Sequence, residues 1–72
     1  MDKLKQEKLK MWKKQMEELE KALNAAMVKK GLAAQEGDLS ENAAFKDAVE
    51  ESEMMSARLA DVQKIIKELE KN

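Results

Sequence analysis

The second half of the chain carries one uninterrupted apolar seam. Phe45, Ala48, Ser52, Met55, Leu59, Val62, Ile66 and Leu69 follow one another at spacings of 3, 4, 3, 4, 3, 4 and 3. A helix of about 3.6 residues per turn keeps such positions on one face and buries that face against another helix. A strand would scatter them over both faces. The first half repeats the rhythm through Leu9, Trp12, Met16, Leu19 and Leu23, and then through Ala26 or Met27. Its register blurs after Leu23, where Gly31 and Ala34 point to a stutter.

Between the two stretches lies Gly37-Asp38-Leu39-Ser40-Glu41-Asn42, the one place where the sequence allows a turn. The expectation is an all-α fold, an antiparallel two-helix coiled-coil hairpin. Helix 1 would span about 2–36, the turn about 37–40 and helix 2 about 41–70. Folding about residue 38 sets Leu69 against Leu9, Ile66 and Val62 around Trp12, and Met55 near Leu19 and Leu23. It also sets Gly31 opposite Phe45. A mid-helix Gly costs about 1 kcal/mol against Ala, and room for the Phe45 ring would explain it. Each arm of ~30 residues would run roughly 45 Å.

Composition supports a rod more than a globule. The chain has 72 residues, of which 40% are charged, with no Pro and only Trp12 and Phe45 as aromatics. That is one domain at most, with little apolar surface to bury. Ala, Glu, Lys, Leu and Met dominate, which favours long helices. The absence of Cys and His removes disulfides, thiol nucleophiles, imidazole bases and the usual zinc sites. With no nucleophile, base or pocket-sized core, an independent enzyme is not expected. No apolar run approaches the ~18 residues of a membrane span, and no signal peptide is visible. The expected location is the cytoplasm, with no membrane partner.

The net charge of −1 conceals an asymmetry. Residues 1–16 hold six Lys against two acids, whereas residues 36–53 hold seven acids against Lys46 alone. The rod is therefore basic near its N-terminus and acidic around its turn. Lys3, Lys5, Lys8, Lys10, Lys13 and Lys14 spread over several helical faces, as on a solvated helix. Lys29 and Lys30 lie within two to three turns of the tip and are the better candidates for phosphate contact. Met11, Met16, Met27, Met54 and Met55 suit an adaptable core. Leu4, Met11, Met54 and Ile65 fall off the seam, which leaves room for a homodimer, two hairpins packed as a four-helix bundle.

The tip motif has two readings. Gly37 suits the C′ position that ends helix 1. Asp38 can cap helix 2 with Glu41 three residues later, a variant of the capping box, with Ser40 as a competing cap. Capping alone would then account for both acids. The second reading comes from resemblance. Gly37-Asp38-Leu39-Ser40-Glu41-Asn42-Ala43, with Phe45 two residues on, resembles the tip signature of the Gre family of bacterial transcript-cleavage factors (GreA and GreB). The likeness continues through Ala48 and Arg58-Leu59-x-Asp61-Val62. Upstream, Met16-Glu17-Glu18-Leu19 is similar to the family's first-helix segment, at a shorter spacing from the tip.

The resemblance implies a hairpin that enters the secondary channel of RNA polymerase. It implies that Asp38 and Glu41 are the catalytic acids, which help hold a Mg²⁺ ion and position water for cleavage at the 3′ end of backtracked nascent RNA. The protein would then be an accessory to the nuclease activity of polymerase, with DNA-associated transcription as its setting. Mg²⁺ suits carboxylate and water oxygen ligands, and two-metal sites stabilise attacking and leaving oxygens. Two carboxylates alone bind Mg²⁺ weakly, so polymerase and RNA would complete the site. The sequence departs from the family at Phe45, where Tyr is usual, and in placing its most basic segment far from the tip. Residues 1–72 resemble only the family's N-terminal domain, so the expectation is a hairpin without the C-terminal domain that docks on polymerase. Two alternatives use the same fold: a self-associating interaction module whose tip acids only cap helix 2, and an inhibitor that plugs the polymerase channel.

Overall fold

The computed structural model describes residues 2–36 and 42–71. It contains two helices, α1 (Lys3–Ala34) and α2 (Ala43–Glu70), and no strand among the described residues. They pack along their lengths into a rod of 54 × 14 × 11 Å. The all-α hairpin expected from the heptads is thus present, with each helix stopping about two residues short of its expected tip-side end.

Each helix starts on a side-chain cap. Asp2 accepts a hydrogen bond from the Lys5 backbone N–H at 2.8 Å and opens α1. Asn42 does the same for the Phe45 N–H at 3.0 Å and opens α2. These carboxylate and amide oxygens satisfy donors that the first helical turn leaves without a partner. α1 ends at Gln35, whose N–H bonds to the Leu32 carbonyl. α2 ends at Lys71, with Lys67 in its last turn placed favourably towards the negative end of the helix dipole.

Burial follows a heptad on both helices. On α2 the buried positions are Ala48, Ser52, Val62 and Ile66, with Phe45, Met55, Leu59 and Leu69 half-buried. On α1 they are Leu9, Ala26 and Ala33, with Lys5, Trp12, Met16, Leu19, Leu23 and Lys30 half-buried. Apart from the half-buried Ala22 beside Leu23, the α1 set keeps alternating spacings of 4 and 3 from Lys5 to Ala33. The expected stutter after Leu23 is therefore absent. The seam continues through Ala26, Lys30 and Ala33, while Met27 remains 51% exposed. Apolarity alone conceals this register, because a Lys stem can occupy a seam position while its ammonium reaches water.

The registry is that of a fold about residue 38. Lys5 Nζ donates to the Lys71 carbonyl at 2.8 Å at one end of the rod. Asn42 Nδ2 donates to the Ala33 carbonyl at 2.7 Å at the other. Leu9, Val62 and Ile66 form the core cluster, and Trp12, Met16, Leu19 and Leu69 pack against it. Ser52, the buried polar residue on the seam, is satisfied by donating its hydroxyl to the Val49 carbonyl at 2.8 Å. The explanation offered for Gly31 does not hold. A Cβ built there meets nothing within 4 Å, so Gly31 makes no room for Phe45.

Candidate functional site

The sequence places its chemistry at the turn, and the described residues reach that turn from both sides. Asp38 and Glu41, with Gly37 and Ser40, lie outside the described residues. Glu36 and Asn42 flank them at one end of the rod.

Asn42 is the residue that organises this end. Its Oδ1 accepts from Phe45 N–H, which caps α2. Its Nδ2 donates across the hairpin to the Ala33 carbonyl in the last turn of α1. One amide therefore serves both helix ends, giving an acceptor to one and a donor to the other. Ala33 O also accepts from the Glu36 N–H at 3.1 Å, and a carbonyl has two lone pairs for the two donors. This overturns the expectation that Asp38, with Glu41 in support, or Ser40 caps α2. The capping pattern beginning at Asp38 lies too early in the chain. α2 starts at Ala43, and its cap is the residue immediately before it.

Below this neck runs a shallow groove lined by Lys29, Leu32, Glu36, Ala44, Asp47 and Glu51 among others. Lys29 Nζ lies 3.7 Å from a Glu51 carboxylate oxygen, and both side chains are open to water. Such a pair contributes about 0–1 kcal/mol and is readily exchanged for another anion. Lys30 is half-buried on the seam. The two candidates for phosphate contact thus differ. Lys29 stands on a flank paired with an acid of α2, and Lys30 occupies a half-buried seam position. Among the described residues no three acids, His or Cys come together as a metal site. Among the described residues, the acids that line this groove are Glu36, Asp47 and Glu51.

Sequence reasoning missed Asn42. The signal was present, since Asn is among the best N-caps and it stands three residues before Phe45, where the seam begins. The Asp-x-x-Glu pattern four residues earlier drew the helix start towards itself.

One family model matches the chain. Its description is transcription elongation factor, N-terminal, of the GreA/GreB type, and it covers residues 1–70. No curated protein and no solved structure matches the chain.

Proposed function

The chain belongs to the GreA/GreB family of transcription elongation factors, and on that premise we propose how it works. The hairpin enters the secondary channel of RNA polymerase with its tip leading. Asp38 and Glu41 present carboxylates to a catalytic Mg²⁺ and to the attacking water, and backtracked RNA is cleaved near its 3′ end. The observation that carries this reading is the cap of α2. Asn42 performs that duty, so the start of the helix does not call for Asp38 or Glu41. The shape is also suitable, since a rod 54 Å long and 14 Å across can probe a narrow passage.

The donor types fit Mg²⁺, which takes oxygen ligands in octahedral geometry and keeps several waters. When bound, the ion stabilises charge on the attacking and leaving oxygens. This chain supplies two carboxylates and the rod that carries them. Polymerase and RNA supply the remaining ligands, so the isolated chain is not a nuclease. Lys29, released from Glu51, pairs with an RNA phosphate, and Lys30 adds positive charge beside it. Phe45 contributes its ring at the neck without a hydroxyl. The setting is the bacterial cytoplasm.

Stalled, backtracked elongation complexes with Mg²⁺ provide the test. Excess protein is expected to accelerate release of short 3′ fragments. Slowed nucleotide addition without cleavage would instead identify a channel plug.

A second reading, self-association, rests on a separate observation. Leu32 lines the groove together with Asp47 and Glu51, which defines one flank of the rod. Leu4 and Met11 precede Leu32 by whole heptads, Met54 follows Asp47 by one heptad and Ile65 follows Glu51 by two. Among the described residues, five of the seven exposed large apolar side chains therefore share that flank. Sedimentation equilibrium over a range of concentrations distinguishes a homodimer from a monomer.

A further inference from the structure

We propose that Asn42 is a positioning residue for the tip, a strap that holds in one relation the two helix ends that flank Asp38 and Glu41. This deepens the cleavage reading and rests on it for its functional half. Three observations carry it. Asn42 is half-buried and makes two hydrogen bonds from one amide, 3.0 Å to Phe45 N and 2.7 Å to Ala33 O. The second joins Ala33 to Asn42 across the eight residues between them, which include Asp38 and Glu41. The core nearby is made of small side chains, Ala33, Ala48 and Ser52, so apolar packing does little to fix the neck.

The chemistry is specific to Asn. Asp and Ser are equally good N-caps, so either preserves the bond to Phe45 N–H. Neither reproduces the strap. A carboxylate has no proton to donate to the Ala33 carbonyl and sets negative charge against it. A Ser hydroxyl is too short to serve both partners. Asn42→Asp and Asn42→Ser thus separate the cap from the strap while leaving α2 able to form.

Two measurements on the full 72-residue chain test the proposal. The chain has no Cys, so spin labels can be placed at will on exposed positions. One pair, Glu36→Cys with Lys46→Cys, brackets the neck. Another pair, Lys14→Cys with Lys64→Cys, reports on the far half as a control. In both Asn42 variants the neck distance distribution should broaden, the control distribution should stay as narrow as in the parent, and helix content should be unchanged. A neck distribution unchanged in both variants overturns the strap.

The second measurement is transcript cleavage on backtracked complexes at saturating protein. A misplacement of about 1 Å at a reacting centre can cost roughly a hundredfold in rate. The variants should therefore lose roughly ten- to a hundredfold in maximal rate, with the half-saturating concentration unchanged. A looser neck with an undiminished maximal rate overturns the positioning role. If the parent protein itself fails to stimulate cleavage, the proposed function fails, and the distance measurement still decides the strap.

Discussion

The two halves of the rod are built from different side chains. Away from the tip, Leu9, Val62 and Ile66 are buried together with Trp12, Met16, Leu19 and Leu69 packed against them. Towards the tip, the buried positions are Ala26, Ala33, Ala48 and Ser52, with Lys30 and Phe45 half-buried beside them. Apolar burial stabilises in proportion to area, so most of it acts on the far half. The tip half stays in register through small contacts and polar links, including the Asn42 strap and the Lys29–Glu51 pair. Separating the two tasks keeps the tip end thin and leaves its surface to charged side chains.

Substitutions that enlarge or remove this contrast should act in a graded order. Ile66→Ala should cost about 2–4 kcal/mol, the range for deleting a buried branched side chain. Urea unfolding followed by helical circular dichroism measures it, and the Trp12 emission should move in the same transition. A loss no greater than that of Ala48→Gly, about 1 kcal/mol from helix propensity, would remove the distinction between the halves. Ala26→Leu probes the tip half from the other direction. Ala26 is fully enclosed at 0% exposure, and overfilling such a site costs about 1–3 kcal/mol. Unchanged stability would mean that the helices there have space to spare.

Two smaller effects sharpen the picture. Gly31 is helical and exposed, and its missing Cβ would meet nothing. Gly31→Ala should therefore stabilise the rod by about 1 kcal/mol. A loss of stability would show that Gly31 has a close neighbour after all. Lys29→Ala removes an exposed ion pair and should change stability by less than about 1 kcal/mol, an effect that added salt erases. Its influence on cleavage, if Lys29 meets RNA, should be larger than its influence on melting.

Most of the fold is legible in the heptad pattern. Leu9, Val62 and Ile66 announce a seam because large apolar residues recur on one face, and folding about residue 38 follows from matching the two seams. The same logic weakens where residues become small or charged. Ala26 competes with Met27 for the seam, Ala33 looks like any helix former and Lys30 looks like surface, yet Ala26, Lys30 and Ala33 continue it. The expectation for Gly31 fails because facing positions in a register are not the same as touching ones. Asn42 is legible as a cap in its own right, but its bond to Ala33 depends on two chain segments meeting. That relation exists only once the hairpin has closed.

The most direct test of the account measures melting and transcript cleavage together on Asp38→Asn and Glu41→Gln. Neither acid caps α2, because Asn42 does so. Both variants keep the Asn42 cap and should therefore melt within a few degrees of the parent. Stimulated 3′ cleavage on backtracked complexes should disappear in both. Cleavage at the parental rate in both variants would contradict the assignment of the tip acids to the metal.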